Sequence, residues 1–371
     1  MSANAHIIGW GKYVPSQVLT NDDLAQIVDT SDEWIYTRTG IRERHIAAAD
    51  EATATMAIQA ARSALQVAGL RPTQIDLIIV ATITPDHPFP ATACAVQDGL
   101  GARHAAAFDL SAGCSGFVYV LGIAADLIRA GTYQTVLVIG AETLSRITDW
   151  GDRSTCVLFG DGAGAVLLQA DSGKGGVLSS VMGSDGSGGD VLMMPAGGSL
   201  HPATHETVAA HMHFLQMRGR EVFRFAVRQI PIATRRALEM AGLGLSDVRL
   251  IVPHQANQRI IEAAARALDV SDDLFFSNLA AYGNTSAASI PIALCEAVEQ
   301  GRIQRDDVVV CVGFGAGLTW AAAVLRWTMP LPGAPPSRWR AFGYRIRWLH
   351  AAWRSAARRF VRWLLARWSV E

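Results

Sequence analysis

The sequence predicts an α/β protein with a largely parallel sheet, arranged as two similar halves. Two observations indicate this fold class. Apolar runs of strand length alternate with segments of helical periodicity along most of the chain, which is the pattern of parallel strands joined by crossover helices. A short stretch of the first half also recurs in the second half at a constant spacing, which is typical of a duplicated fold.

The composition describes a folded protein of one or two domains. The chain has 371 residues, of which 50% are hydrophobic and 18% charged, so it can bury a large core. No apolar run approaches the roughly 20 residues that cross a bilayer, and the N-terminus lacks the pattern of a signal peptide. The five cysteines are scattered and never spaced as Cys-x-x-Cys, which disfavours disulfides and structural zinc and favours a reducing cytoplasm.

The elements follow in order from the hydrophobic pattern. Residues 5–10 form a strand-like run, and residues 53–70 show a helical periodicity that ends at Gly69. Residues 75–81 are mostly apolar without alternation, which is typical of a strand buried on both faces. A helical pattern covers residues 117–128. Later strands are predicted at 135–140, 156–159, 165–168, 248–253, 308–312 and 321–325, with a further helical run at 290–298.

A weak internal repeat sets the predicted domain boundaries. Ala68-Gly69-Leu70 with Leu77-Ile78-Ile79 recurs, 173 residues later and without gaps, as Ala241-Gly242-Leu243 with Leu250-Ile251-Val252. Chance could produce a repeat this short, but a duplication explains it better. The predicted halves are residues 1–172 and 173–329, and a Pro-rich linker with an Arg/Trp-rich tail makes up residues 330–371.

Cys114 is the candidate nucleophile. It lies in Ser-Ala-Gly-Cys-Ser-Gly between an apolar run and the helical pattern at 117–128. Small neighbours let a substrate approach, and a helix N-terminus favours thiolate over thiol, which predicts a lowered thiol pKa. A buried structural cysteine is the alternative. That alternative is favoured for the other four cysteines, Cys94, Cys156, Cys295 and Cys311.

Two further polar motifs stand beside predicted elements. His254 lies in Pro-His-Gln-Ala-Asn directly after a predicted strand, where open α/β sheets bind ligands. Asn284 lies in Gly-Asn-Thr-Ser-Ala-Ala-Ser, 170 residues after Cys114 and close to the offset of the repeat. A duplicated fold would place Cys114 and Asn284 at equivalent helix starts that face each other. The structural alternatives are a satisfied buried histidine and a helix cap.

The glycine-rich loops at residues 160–164 and 313–317 do not fit a dinucleotide or ATP site. Neither has the Gly-x-Gly-x-x-Gly spacing that opens a helix or the Lys-Ser/Thr of a phosphate loop. Tight turns or a backbone oxyanion site fit better. Four histidines between residues 201 and 213 do not specify a tetrahedral site, so no metal is expected.

The order of these motifs resembles the β-ketoacyl-acyl carrier protein (ACP) synthase III family of the thiolase superfamily. The likeness covers about residues 5–327 and includes DTSDEW at 29–34, TRTGIRER at 37–44 and FGDGAG at 159–164. It implies a five-layer αβαβα fold, a cytoplasmic homodimer and no cofactor. It also implies the reaction that initiates fatty-acid synthesis: a short acyl-CoA acylates Cys114, and malonyl-ACP then loses CO₂ and condenses with the thioester to give 3-oxoacyl-ACP.

The resemblance implies roles for individual residues as well. His254 and Asn284 would stabilise the charge formed by decarboxylation, and the backbone N–H groups of Cys114 and Ala316 would form a second oxyanion hole. Phe89 matches a residue that closes the acyl pocket of the dimer partner, and its bulk predicts short primers such as acetyl. The CoA-binding positions are Trp34, Arg38, Thr39, Arg153, Arg220, which replaces a family Asn, and Asn257. The ACP-binding positions are Arg224, Arg259 and Arg266.

Two other hypotheses remain open. A synthase III-like acyltransferase or condensing enzyme of secondary metabolism would use the same Cys-His-Asn set on another acceptor. A membrane-recruited scaffold is the third hypothesis, and it depends on the C-terminal tail.

The tail is not explained by the resemblance. Nine Arg and Glu371 follow residue 336, which gives this segment a charge of +8 and leaves −9 for the rest of a chain with net charge −1. At about 100° per residue, an apolar stripe lies opposite an Arg-rich face. The stripe contains Phe342, Ile346, Leu349, Trp353, Ala356, Phe360 and Leu364, and the opposite face contains Arg340, Arg347, Arg354, Arg358 and Arg362.

This pattern predicts a basic amphipathic helix over residues 338–368. Three placements of this helix remain open. The helix lies on the inner membrane face, docks on the acidic body or on a partner, or stays solvated. Nucleic acid is disfavoured as a partner because the acidic body would oppose it.

Overall fold

The computed structural model describes residues 3–329 and the backbone of residues 338–368, with most side chains of that second segment. The strands are β1 (Asn4–Tyr13), β2 (Gln17–Thr20), β3 (Glu43–Ile46), β4 (Leu77–Ala81), β5 (Ala106–Leu110), β6 (Thr135–Glu142), β7 (Gly162–Asp171), β8 (Gly176–Ser184), β9 (Leu192–Met193), β10 (Gln216–Met217), β11 (Val248–Pro253), β12 (Val308–Gly315) and β13 (Thr319–Arg326). The helices are α1 (Asn21–Leu24), α2 (Asp32–Thr39), α3 (Thr53–Ala68), α4 (Thr92–Leu100), α5 (Gly116–Arg129), α6 (Arg153–Cys156), α7 (His205–Ala209), α8 (Gly219–Ala241), α9 (Gln258–Leu268), α10 (Leu279–Tyr282), α11 (Ser289–Glu299) and α12 (Arg338–Trp368).

Two sheets of the same strand order form the centre of the molecule. The first has the order β1-β7-β6-β4-β5 and the second the order β8-β13-β12-β11. In each sheet the first two pairings are antiparallel and the next is parallel. Phe275 makes a parallel bridge to Ile251, at the place that β5 holds in the first sheet. The halves therefore share one topology, which confirms the predicted duplicated α/β fold.

The apolar faces of these elements explain the five layers. The helices α5 and α11 lie between the two sheets, where Phe117 and Ile290 share one core with Val138 and Val309. The helices α3 and α4 cover the outer face of the first sheet, and α8 and α9 cover that of the second. Because β4 is buried along its whole length, its sequence lacks polar alternation. The layers thus follow the αβαβα order.

One predicted strand is wrong. Residues 153–156 form the helix α6, a turn follows, and Phe159 makes only an isolated bridge with Asn284. Asp152 starts the helix because its side chain accepts the backbone N–H of Ser154 at 2.9 Å. This cap outweighs the apolar character of the segment. The other predicted strands and helices are present with ends shifted by a few residues.

The predicted boundary between the two halves lies between β7 and β8. The strand β7 ends at Asp171 and β8 begins at Gly176, and the division into halves at residue 172 stays a prediction. The tail forms the helix α12, which contacts α4. The predicted linker around residues 330–337 lies outside the described residues. Among the helices that the structure describes, none has the length and apolar character to cross a bilayer.

Candidate active site

Cys114 lies between a strand and a helix of the first half. The strand β5 ends at Leu110, and a single helical turn, Gly113–Ser115, leads into α5. Gly113 has a φ of 54°, which glycine adopts without the penalty that a side chain would bring. Cys114 is 7% exposed and lines a cavity of about 390 Å³. A cavity of this size is typical of a small-molecule site.

The loop after β12 brings a second backbone against Cys114. A Cβ added at Gly315 would lie 2.5 Å from the Cys114 nitrogen, and a Cβ added at Gly113 would lie 2.8 Å from the Ala316 nitrogen. The absence of side chains at both glycines therefore lets the Cys114 and Ala316 backbones meet. Two backbone N–H groups beside a nucleophile are able to stabilise an oxyanion.

His254 directly follows β11 and is held through its Nδ1 atom. Nδ1 lies 2.7 Å from the Ser289 hydroxyl oxygen, which also accepts the Gln255 backbone N–H at 3.4 Å. A hydroxyl that accepts from Gln255 can donate its own proton to Nδ1, which leaves the ring proton on Nε2. Burial lowers the pKa of His254 to about 3, so the ring is neutral at physiological pH. The sequence pattern does not predict this role for Ser289, although Ser289 stands in the same motif as Asn284.

Asn284 precedes α11, the helix of the second half that corresponds to α5, but it lies two residues before the helical turn there, whereas Cys114 lies within its own turn. A single turn, Ser286–Ala288, follows it and leads into α11. The Asn284 Oδ1 atom accepts the Ser286 backbone N–H at 2.9 Å, so the amide presents Nδ2 as its donor to a ligand. Ser286 has a φ of 48°, a left-handed conformation whose strain is typical of functional sites. This backbone geometry has no signal in the sequence.

The ionisation of Cys114 differs from the sequence expectation. Burial raises the pKa of the Cys114 thiol to about 12, although an interaction with the Ser286 side chain lowers it. The carboxylate of Glu142 also raises the pKa of the thiol. Glu142 is buried, accepts the Ser286 hydroxyl at 3.1 Å, and has a pKa that burial raises to about 7. The predicted lowering of the thiol pKa is therefore wrong, because desolvation outweighs the helix N-terminus.

The cavity brings the predicted catalytic groups together. Cys114, His254, Asn284 and Ala316 all line it. Most of its other walls are apolar, including Leu144, Ile147, Phe159, Leu192, Leu215 and Phe314. Such walls exclude water and strengthen hydrogen bonds to a developing charge. The arrangement can hold a thioester next to two pairs of hydrogen-bond donors.

An aromatic and cationic cluster lies beside the cavity. The guanidinium groups of Arg38 and Arg153 lie 4.5 Å and 4.8 Å from the Trp34 ring centroid. Asn257 lines the cavity and donates to the Arg38 carbonyl at 3.0 Å, which connects the two features. A ring flanked by two guanidinium groups can bind a planar base and its phosphates. Thr39 is buried, and its hydroxyl donates to its own helix backbone at 2.7 Å.

Basic side chains follow the helices α8 and α9. Arg220 and Arg224 are exposed on the first turns of α8, and Arg228 extends the row at the same four-residue spacing. Arg259 and Arg266 are exposed on α9, which packs on α8. Both helices also contribute residues to the cavity wall. Arg228 was not predicted, although its spacing in the sequence was the available signal.

Phe89 does not line the cavity of its own chain. It lies in the loop between β4 and α4, where its side chain is 85% exposed. The structure therefore leaves Phe89 apart from the other predicted site residues.

The histidine-rich segment has other partners. His211 lies 3.0 Å from Asp149, and His213 lies 2.9 Å from Thr207. Within residues 3–329 and the described part of α12, no group of three or more His, Cys, Asp or Glu side chains could hold a metal ion.

Known proteins resemble this chain along most of its length. The family model described as 3-oxoacyl-[acyl-carrier-protein] synthase III matches residues 108–186, and the model of its C-terminal part matches residues 238–327. A β-ketoacyl-[acyl-carrier-protein] synthase III from Caldanaerobacter subterraneus subsp. tengcongensis is 55% identical over 324 residues, which cover 87% of this chain and 98% of that protein.

Solved structures show the same relationship. The 3-oxoacyl-[acyl-carrier-protein] synthase III from Aquifex aeolicus matches with a TM-score of 0.81 and 50% identity, over 87% of this chain and all of that chain. A priming β-ketosynthase from a polyketide biosynthetic pathway matches with a TM-score of 0.83 and 38% identity, over 88% of this chain and 97% of that chain. With the fold, the site and these relatives in agreement, the chain belongs to the β-ketoacyl-acyl carrier protein synthase III family of acyltransferases.

Proposed function

We propose that this condensing enzyme joins a short acyl group from acyl-CoA to malonyl-ACP, with Cys114, His254 and Asn284 as its catalytic residues. The observation that carries the proposal is the shared cavity, in which one buried thiol meets two backbone donors and two side-chain donors. Sulfur forms a thioester that carbon nucleophiles can attack, and the two donor pairs supply the two places where negative charge develops.

The first half-reaction transfers the acyl group to the enzyme. The Cys114 sulfur attacks the thioester carbonyl of acyl-CoA, and the Cys114 and Ala316 N–H groups bind the resulting oxyanion. The C–S bond to CoA then breaks, and the proton that left Cys114 ends on the CoA thiol. Because the pKa of the Cys114 thiol is about 12, deprotonation accompanies the attack and does not precede it.

The second half-reaction forms the carbon–carbon bond. Malonyl-ACP loses CO₂, and the electron pair left on the α-carbon is delocalised onto the thioester oxygen. His254 Nε2–H and Asn284 Nδ2–H donate to that oxygen. The carbanion attacks the acyl group on Cys114, 3-oxoacyl-ACP is released, and the sulfur takes a proton from solvent, which its high pKa favours. The thioesters and the loss of CO₂ supply the driving force, so we propose that no cofactor takes part.

The surface groups fit the two substrates of this reaction. We assign the CoA nucleotide to Trp34, Arg38 and Arg153, with Asn257 at the cavity and with Thr39 and Arg220 nearby. The basic rows on α8 and α9 suit an acidic carrier protein. We assign its docking to Arg224, Arg259 and Arg266, and we include Arg228 because it is exposed on α8 four residues after Arg224.

Incubation of the protein with acetyl-CoA and malonyl-ACP tests the proposal. We expect acetoacetyl-ACP, detected by intact mass, and a mixture of acyl-CoAs of increasing length should load the short ones onto the enzyme. An acyl-enzyme that forms but does not condense with malonyl-ACP would contradict the proposal. The same experiment with other carrier proteins tests the secondary-metabolism alternative, which the likeness to the polyketide-priming enzyme favours.

We further infer a homodimer in which Phe89 closes the acyl pocket of the partner. Among the described strands, β5 pairs only with β4, so its outer edge is open. Phe108 on that strand is 39% exposed, and Phe89, in the loop that precedes α4, is 85% exposed. Open strand edges and large exposed aromatic side chains both favour the association of two chains.

Sedimentation tests the inferred dimer. The wild-type protein should have twice the mass of the chain, and Phe89→Asp should weaken the dimer. A monomeric wild-type protein would refute this inference.

The reaction is assigned to the cytoplasm, with the tail at the inner membrane face. All five cysteines are free thiols, which fits a reducing compartment. We assign the contact with the membrane surface to the helix α12, whose sequence is basic and amphipathic.

A further inference from the structure

The helix α12 contacts the body of the protein through a narrow polar and small-residue face. Tyr344 is 7% exposed, and its hydroxyl lies 3.4 Å from the carbonyl oxygens of Leu65 and Leu70. The Trp348 ring lies 5.0 Å from the Arg62 guanidinium. These contacts fix the N-terminal part of the helix against α3.

Asp98 holds the middle of the helix. The Ser355 hydroxyl donates to it, and Arg358 forms an ion pair with it at 2.8 Å. Arg359 lies 4.0 Å from the same carboxylate. Ala351 meets Gly101, because a Cβ added at Gly101 would lie 3.0 Å from the Ala351 Cβ. At about 100° per residue, Tyr344, Trp348, Ala351, Ser355 and Arg358 lie on one side of α12.

The opposite side of α12 is apolar and exposed. We define the outer stripe as Ile346, Leu349, Trp353, Phe360 and Leu364, whose side chains are 50%, 71%, 68%, 59% and 38% exposed. At about 100° per residue these five positions fall within some 60° of arc, opposite Tyr344. Amphipathic helices of globular proteins normally turn the apolar side toward the core. In α12 the orientation is reversed, and the described residues of the chain leave the outer stripe exposed.

The charge of α12 indicates which kind of partner binds the outer stripe. The segment contains nine Arg and no Asp or Glu, and Arg354, Arg358, Arg359 and Arg362 are exposed on the half of the helix that carries Tyr344. A second copy seated on the stripe would bring two strongly positive segments within a helix diameter of each other, which is repulsive. A nucleic acid would satisfy the arginines but not five apolar side chains. An anionic lipid surface suits both features, because acyl chains accept the stripe while the headgroup phosphates attract the positive charge of the whole segment.

We propose that α12 binds the surface of an anionic phospholipid bilayer through the outer stripe, while its contact with Asp98 fixes the enzyme body on the other side. The proposal deepens the inner-face location given above and rests on it, but not on the condensation chemistry. Tryptophan in the stripe suits the headgroup boundary. The ion pairs with Asp98 keep the helix oriented, so that the apolar side chains face the lipid before binding.

Co-sedimentation of the full chain with vesicles tests this proposal. We expect binding to vesicles made of equal parts phosphatidylcholine and phosphatidylglycerol, weak binding to pure phosphatidylcholine, and weaker binding at high salt. The double variant Trp353→Glu/Phe360→Glu should lower the partition coefficient at least about tenfold. Met240→Glu is the matched control, because its side chain is 56% exposed on another helix, and it should bind as the wild type does. Thermal unfolding of each variant is measured to test whether the fold is retained.

Three outcomes would overturn the proposal. These are equal binding to neutral and anionic vesicles, no loss of binding in the stripe variant, and a change of oligomeric mass in the stripe variant without a change in lipid binding. The last outcome would assign the stripe to a second copy. Condensation of soluble substrates is measured on the same samples, so that a failure of lipid binding and a failure of catalysis are seen separately.

Discussion

Replacing Cys114 with alanine is expected to lower the condensation rate by at least about 10⁴-fold, the order of loss seen when a covalent nucleophile is removed. Without the sulfur, the acyl group has no site on the enzyme, and the ping-pong sequence stops at its first step. Intact mass after incubation with acetyl-CoA should show no acetyl adduct. The substitution removes a buried sulfur from the cavity wall, so thermal unfolding is measured to show that the fold is retained.

Decarboxylation of malonyl-ACP by the same variant gives the sharper result. It should continue within about tenfold of the wild-type rate, because we propose His254 and Asn284, not the sulfur, as the donors of that step. Cys94→Ala is the matched control, since Cys94 is exposed on α4 and outside the cavity, and it should keep full condensation. Normal condensation in Cys114→Ala, or an acetyl adduct on it, would refute the role of the sulfur.

Much of the fold can be read from the sequence because its signals are local. Continuous apolar runs such as that of β4 indicate buried strands, and glycine after a helical period indicates where α3 ends. The failure at residues 156–159 has a physical reason as well. A capping aspartate and a short helix outweigh an apolar stretch, and hydrophobic periodicity does not distinguish the two in so few residues.

The sequence motifs predict which residues meet in the candidate site, but they do not predict its electrostatics. The sequence places Cys114 at a helix start, which predicts a lowered thiol pKa, but the degree of burial that reverses the shift depends on packing between the two halves. The supporting bonds of Ser289 and Ser286 likewise depend on tertiary geometry. The tail shows the same limit, since periodicity reveals an apolar stripe but does not tell which side of the helix meets the body.

Replacing His254 or Asn284 with alanine is expected to lower the decarboxylation of malonyl-ACP by about 10²–10³-fold each, the typical effect of losing one donor to a developing oxyanion. Asn284→Asp should be at least as severe, because a carboxylate of the same shape would repel that charge. Acylation of Cys114 by acetyl-CoA should change by less than about tenfold in all three variants, since the proposed donors of that step are the backbone N–H groups. An acylation defect as large as the decarboxylation defect would contradict this division of roles.

The pH dependence identifies which form of His254 donates. Because burial lowers the pKa of His254 to about 3, the ring is neutral in the wild type from about pH 5 to pH 8. An ordinary histidine, by contrast, titrates within this range. The decarboxylation rate should therefore stay flat there, whereas a required imidazolium would make the rate fall as pH rises. Glu142→Gln is measured alongside, since the carboxyl of Glu142, with its pKa near 7, reaches the site through Ser286. If the decarboxylation rate falls steadily with rising pH in both the wild type and Glu142→Gln, the protonated ring of His254 is the donor.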